Sequence, residues 1–388
     1  MKRFIRYGSI VQYRNVVKDV KHSTYCVGYD EDKKEILFDR NIKLPVITVV
    51  GTEKIHGTNA SVCYSNPDGF WVQSRKNIID SHNNPEYVDG SDNAGCAFTA
   101  YENKEEWLSI INMLAKEHDI DLDKNIITIY YEWCGGNIQR YSAVSTLDKM
   151  AIIFRHFKVS PIEPQVDDAG QETFAEWVET CIVGRKGMNK NGEMVENLNF
   201  WVQDSKSGIL NIMNFPIVSL EIDFNNPLLA QNKLIDLVAK MEINSPVGQA
   251  LGVENNTGEG YVFTFTYKDI LHKFKVKGEK HAKGSGKVTT LKPVDDVLEQ
   301  AKIDFVNNVA CTPSRLEQAW QECFGIDNEK DEPSRKATGA FLKFMINDTV
   351  KEESDIMATN KISLKDINSM IANVARTWFN AKLDREML

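Results

Sequence analysis

Lys54 is the residue whose type and surroundings could do covalent chemistry. It stands in Thr52-Glu53-Lys54-Ile55-His56-Gly57-Thr58-Asn59, between two runs of strand composition at 47–50 and 60–64. A lysine fixed between strands can act as a nucleophile if its amine is held uncharged, through desolvation or neighbouring cations. Gly57, lacking a side chain, lets another group approach the backbone closely. Taken by itself, the motif reads more simply as a charged hairpin tip with Lys54 in solvent.

Other chemistry-bearing residues lie downstream. Residues 268–292 hold eight lysines against Asp269 and Glu279. A lysine run is usually a solvated face, but His272-Lys273-Phe274-Lys275-Val276-Lys277 alternates with a strand period. Lys273, Lys275 and Lys277 would then share one face and could bind phosphate. Glu132 ends the apolar run 126–133, where a carboxylate is costly unless paired. Glu259, between two glycines, is a turn residue or a ligand for metal or ribose. Arg75 closes the run Phe70-Trp71-Val72-Gln73-Ser74 and by itself is a surface arginine. Phe154, in a strand-like run 150–159, is core by default and could stack on a base.

The elements that must position these groups follow from pattern. Residues 60–64 and 70–75 form a hairpin around Pro67-Asp68-Gly69. Residues 1–46 read as irregular, with short strands at 24–29 and 34–38. A loop spans 80–96, and a helix runs over 102–118 with Trp107, Ile110, Ile111 and Leu114 on one stripe. A further helix is expected near 172–181, another from Asn226-Pro227 to about Met241, and a strand at 258–265. Beyond 290, helical stripes dominate (294–309, 314–324, 335–350 and 363–381, the last with Ser363 as N-cap). The domain boundary falls between 287 and 288.

The 388 residues are 42% hydrophobic and 26% charged, the composition of an ordinary globular protein with room for two or three domains. No apolar run approaches the roughly 18 residues of a membrane span, and the first 25 residues carry no signal-peptide pattern. Seven cysteines with no Cys-x-x-Cys pair point to reduced thiols in a cytosol. The net charge of −9 argues against general nucleic-acid binding, so local distribution must decide.

Together these segments resemble the covalent nucleotidyltransferase superfamily, and within it the bacteriophage RNA ligase 2 family. The resemblance rests on Lys54-Ile55-His56-Gly57-Thr58-Asn59, Arg75 in Ser-Arg-Lys, Glu132 in Tyr-Tyr-Glu-Trp-Cys-Gly-Gly-Asn-Ile-Gln, Phe154, Glu259-Gly260-Tyr261-Val262, Lys275-Val276-Lys277, and Tyr7-Gly8-Ser9-Ile10. Each is weak alone; their order and spacing are specific. It covers roughly residues 3–285 and fades around 160–250.

The resemblance implies an α+β fold: a nucleotidyltransferase (ATP-grasp-like) domain of antiparallel sheets with flanking helices over 1–287, then an all-α C-terminal domain over 288–388. It implies an ATP-dependent RNA ligase. Lys54 would take AMP from ATP and pass it to a 5′-phosphate end, which a 3′-hydroxyl then attacks. Lys275 and Lys277 would neutralise phosphate charge and lower the Lys54 pKa. Asn59 would position the 3′-hydroxyl, and His56 would assist. Glu53, Arg75, Glu132, Phe154 and Glu259 would contact the nucleotide, Glu132 at the ribose and Phe154 on adenine. Glu259 would hold Mg²⁺ or Mn²⁺. The implied partner is RNA with 3′-OH and 5′-phosphate ends, including a nicked duplex, gripped in part by the C-terminal helices. The implied setting is a monomer in the cytoplasm, away from membranes, as for a phage protein in host cytosol.

Two positions depart from the family pattern: Thr264 replaces a lysine, and Arg155 stands where an acidic residue is expected. A DNA ligase or capping enzyme would add a barrel-like strand series after 290, which is not seen. A non-catalytic nucleic-acid-binding module remains the alternative from another class. A P-loop at Gly284-Ser285-Gly286-Lys287 fails, because Val288 replaces the required hydroxyl and His281 the first glycine.

Overall fold

The computed structural model describes residues 2–30, 34–79, 92–140, 142–163, 176–180, 186–188, 194–196, 208–253, 256–278, 291, 293–324 and 333–386. The chain divides into two compact units. One comprises Met1–Tyr13, Thr48–Leu220 and Asp236–Thr290; the other comprises Arg14–Ile47, Glu221–Ile235 and Leu291–Leu388. The second unit thus takes in 14–47 and 221–235, which the sequence reading assigns to the first domain. The expected boundary at 287/288 lies outside the described residues.

Two large sheets dominate the first unit. In one, Val11–Gln12, Ile270–Lys277, Gly260–Tyr267 and Val46–Glu53 lie side by side in that order. Ile270–Lys277 and Gly260–Tyr267 form a hairpin turned at Lys268 and Asp269, both at positive φ, as tight hairpin turns require. Phe274 and Val276 are buried on one side of their strand, and the lysines between them take the other. In the second sheet the order is Glu176–Glu179, His156–Pro161, Asn125–Cys134, Thr58–Ser65, Gly69–Ser74 and Ile78–Ile79. Met150–Ile153 pairs with the C-terminal half of Asn125–Cys134, and Ile209–Asn211 runs parallel to Met150–Ile153. The expectation of antiparallel sheets is corrected to mixed ones. Val11–Gln12 and Ile209–Asn211 each reach their partner strand through long intervening chain, which permits parallel pairing.

Two helices, Cys96–Glu102 and Lys104–Glu117, cover the second sheet. The expected stripe of Trp107, Ile110, Ile111 and Leu114 is buried against Val62, Val72, Ile129 and Tyr131. Burying each of these side chains contributes about 1.5–3 kcal/mol. Asp92 accepts the Ala97 and Phe98 N–H groups at 2.7 and 2.5 Å and so fixes the first helical turn.

In the second unit, the described residues after 293 are helical: Asp296–Phe305, Pro313–Phe324, Thr338–Thr359 and Leu364–Glu386. Leu316, Trp320, Phe341, Met345, Ile367, Ile371 and Phe379 form their core. Ser363 is held at the start of the last helix by Asp366, which accepts its N–H at 3.1 Å. The unit also carries the hairpin Cys26–Asp30 and Glu35–Phe38, which lies outside the 288–388 segment expected to be all-α.

Two of the elements that differ from the sequence expectation are Tyr13–Tyr25 and Glu176–Glu179. Tyr13–Tyr25 is a helix, with Val16, Val20 and Thr24 buried at a four-residue spacing that its β-branched residues disguised. Glu176–Glu179 is a strand rather than part of a helix, because His156–Pro161 offers it a ladder from His156↔Glu179 to Val159↔Glu176. Among the described residues no helix is long and apolar enough to cross a membrane.

Candidate active site

Lys54 sits where the chain leaves one sheet of the first unit for the other. Glu53 is still in register with Tyr261, and the Lys54 N–H donates to the Gly260 carbonyl at 2.7 Å. Four residues later Thr58 is already paired with Trp133. Gly57 makes this crossing possible: its N–H donates to Glu132 Oε1 at 3.0 Å, and a Cβ there would lie 2.4 Å from the Trp133 carbonyl oxygen. We expect Gly57→Ala to lower stability by about 1–3 kcal/mol, since backbone must shift to admit the methyl. A urea midpoint unchanged from the wild type would contradict this.

Glu259 organises the cations around Lys54. Its Oε2 lies 2.7 Å from Lys54 Nζ and 3.1 Å from His56 Nδ1, while Oε1 pairs with Lys277 Nζ. The carboxylate is 2% exposed and the lysine side chain 21%. Burial alone would raise the Glu259 pKa, but the His56 hydrogen bond and the Lys54 and Lys277 partners outweigh it and hold the acid well below the carboxylate range. Lys275 is half-buried, and its pKa is lowered by burial first and then by the charges of Lys277 and Lys54.

Beside Lys54 opens a cleft lined by Tyr7, Glu132, Phe154, Arg155, Val262 and Thr264 among others. Glu132 is pushed up to about 6, mainly by burial, with Lys54 opposing and Glu259 adding to the shift. Asn59 pairs in register with Glu132, so both side chains leave the sheet on one face. The Phe154 ring packs 5.1 Å from that of Tyr7.

The sequence-predicted residues divide accordingly. Lys54, His56, Glu259 and Lys277 meet directly, with Lys275, Glu132 and Asn59 alongside and Phe154 in the cleft wall. Glu53 also borders the cleft, but its carboxylate accepts from Ser245 Oγ at 2.6 Å and Val247 N–H at 2.9 Å. It thereby anchors the start of the helix Pro246–Ala250. Arg75 lies exposed in the turn after Gly69–Ser74, near enough for its charge to lower the Lys275 pKa. Lys273 shares the face of Lys275 but is no part of a phosphate surface. Its Nζ is 3.0 Å from the centre of the Trp177 ring and 4.3 Å from that of Tyr7. Burial, with Lys158 nearby, lowers its pKa to about 6. Lys280, Lys283, Lys287 and Lys292 lie outside the described residues. Sequence reasoning missed Thr52 and His156 in the cleft wall; the register Thr52↔Val262 would have pointed to the first.

A family model described as RNA ligase matches residues 47–277. No curated protein matches the chain. Among solved structures, a Naegleria gruberi RNA ligase mutant with ATP and Mn is 12% identical at a TM-score of 0.38, the match covering 74% of this chain and 59% of that one. Another mutant of that ligase, with AMP and Mn, is 13% identical at 0.37, covering 72% and 58%. An archaeal ATP-dependent RNA ligase is 10% identical at 0.30, covering 88% and 62%. The chain spans about three-fifths of the length of these structures.

Proposed function

Because the chain belongs to the RNA ligase family, we propose that it is an ATP-dependent RNA ligase that carries adenylate on Lys54. The observation that carries this reading is the convergence of Lys54, His56 and Lys277 on one buried carboxylate beside a cleft walled by Glu132 and Phe154.

In the first step Lys54 Nζ, as the free amine, forms a bond to the α-phosphorus of ATP as the bond to the bridging oxygen of pyrophosphate breaks. Lys275 and Lys277 offset the phosphate charge that develops. The AMP then passes to an RNA 5′-phosphate, whose oxygen replaces the amine on phosphorus. Finally a 3′-hydroxyl, positioned by Asn59, loses its proton, attacks the activated 5′-phosphorus and expels AMP. Glu132 accepts from the ribose hydroxyls, Phe154 stacks on the base, and Arg75 meets the substrate phosphate from its exposed turn. The ionised Glu259 is a hard oxygen donor suited to a divalent cation, which would supply positive charge beside the reacting phosphates. The protein is read as a monomer acting in the cytoplasm on RNA bearing 3′-hydroxyl and 5′-phosphate ends, with a nicked duplex included among its substrates. This phage RNA ligase 2-like assignment is supported by the His-Gly-Thr-Asn sequence after Lys54.

The test is to incubate the protein with Mg²⁺ and α-labelled ATP, then add nicked and single-stranded RNA. Label should move from protein to RNA 5′ ends and be released as AMP when ends are joined. A protein that binds RNA without acquiring label would be a non-catalytic binding module instead.

Glu132 sets a pH dependence. Its pKa near 6 is raised, so it is largely protonated at pH 5, where an ordinary carboxylate is ionised. A protonated acid accepts hydrogen bonds poorly, and Lys54, Glu259 and His56 are the titratable groups around it. We expect the KM for ATP to rise as pH falls through about 6, and Glu132→Gln to lack that limb. An identical profile in both proteins would exclude Glu132 as its source.

A further inference from the structure

We propose that Arg155, strapped to Thr264 and Glu179, forms the end wall of the nucleotide slot and limits which bases enter it. This deepens the ligase reading and rests on it.

The wall begins with a break in a strand. The run 150–159, expected as one strand, is interrupted at Phe154 and Arg155, between Met150–Ile153 and His156–Pro161. Thr180 pins the break: its N–H donates to the Arg155 carbonyl at 2.8 Å, and its hydroxyl lies 3.1 and 3.0 Å from the Phe154 and Arg155 carbonyls. Asn211 Nδ2 in turn donates to that hydroxyl at 3.0 Å. On the other side, the Phe154 N–H donates to the Tyr130 carbonyl at 2.9 Å. The backbone that aims both side chains is therefore held on both sides.

From this fixed point Arg155 reaches from one sheet to the other. Its Nη1 donates to Thr264 Oγ1 at 3.0 Å and its Nη2 to Glu179 Oε1 at 2.6 Å. Arg155, His156 and Thr264 all line the cleft. Their place along it follows from strand geometry. At about 3.3 Å per residue, Val262 stands about 10 Å from Glu259 and Thr264 about 16 Å. With the α-phosphate at Lys54 and the base between Phe154 and Val262, the next side chains outward are Thr264 and the guanidinium that meets it. A guanidinium tied at two of its nitrogens to opposite partners resists displacement better than a lysine on one point. Thr264 and Arg155, the two departures from the family pattern, are thus one contact.

The wall predicts steric discrimination. Rates of Lys54 adenylylation should be compared for ATP and for ATP carrying a benzyl group at N6, C2 or C8. The wild type should reject the analogue whose substituent points at the wall. Arg155→Ala should raise the kcat/KM of that analogue relative to ATP by about tenfold or more, the scale of a relieved pocket clash. Its KM for ATP should rise while kcat changes less. Arg155→Met, which restores side-chain length without the charge, should keep most of the rejection. If circular dichroism shows that Arg155→Ala does not fold, Thr264→Ala opens the same wall from the facing sheet and should shift the ratio the same way. A folded variant with all three ratios unchanged overturns the wall, as does a wild type that accepts every analogue as well as ATP. Absence of any label from ATP on the wild type overturns the ligase reading and the wall with it.

Discussion

Lys54→Ala should acquire no protein-bound adenylate from ATP under any conditions of metal or pH. The amine at that position is the only one placed against both the Glu259 carboxylate and the mouth of the cleft among the described residues, and its removal leaves no atom to bond the α-phosphorus. Lys54→Arg should fail equally, because a guanidinium stays protonated throughout the accessible pH range. The loss should be chemical rather than structural. Among the described residues, Lys54 donates side-chain hydrogen bonds only to Glu259 and, at 3.5 Å, to the Ile55 carbonyl. With Lys54 gone, Glu259 keeps His56 and Lys277, so thermal unfolding should move little. An RNA end already carrying adenylate bypasses the missing amine, and the variant should still seal it. Failure to seal, with the fold intact, would mean that Lys54 does more than carry AMP.

Glu259→Ala should be almost as damaging and should also weaken the fold. Two lysine amines and the His56 imidazole converge on this one carboxylate, and removing a buried partner from such a set costs about 3–5 kcal/mol. Label formation should fall separately, by about two to three orders of magnitude, the scale for losing one preorganised electrostatic contact at the reacting centre. The pH signature separates the effect from generic damage. Because the Glu259 pKa is depressed, its contribution to stability is complete above the ordinary carboxylate pKa and is lost only as pH falls toward the depressed value. The wild type should therefore lose stability on acidification below about pH 4.5, and the variant, lacking the contribution at every pH, should show a flatter profile there. Parallel acid-denaturation curves would contradict the assignment of that stability to Glu259.

Much of this site was legible in the sequence because local pattern determines it. Lysines at every second residue of 273–277 must share a strand face, and Gly57 after Lys54 signals a close backbone approach. What was illegible depends on distant partners. The alternation that groups Lys273 with Lys275 says nothing of Trp177, which arrives from a strand read as a helix and takes the Lys273 amine onto its ring. Glu53 looks identical to a nucleotide ligand until Ser245 and Val247 are brought beside it. The contact between Arg155 and Thr264 joins residues more than a hundred positions apart, so each looked like an isolated departure. The helix Tyr13–Tyr25 was missed because β-branched residues mask its period, and the break at Phe154 because Thr180 and Tyr130, which hold it, come from other segments.

The central claim is that one amine, Lys54, becomes a covalent carrier of AMP. The most direct measurement is peptide mapping by mass spectrometry of the wild-type protein after incubation with ATP and Mg²⁺. A single adenylate on Lys54, matched by released pyrophosphate, is the predicted result. Adenylate on a different residue, or an unmodified Lys54 in protein that nonetheless joins RNA, would contradict it.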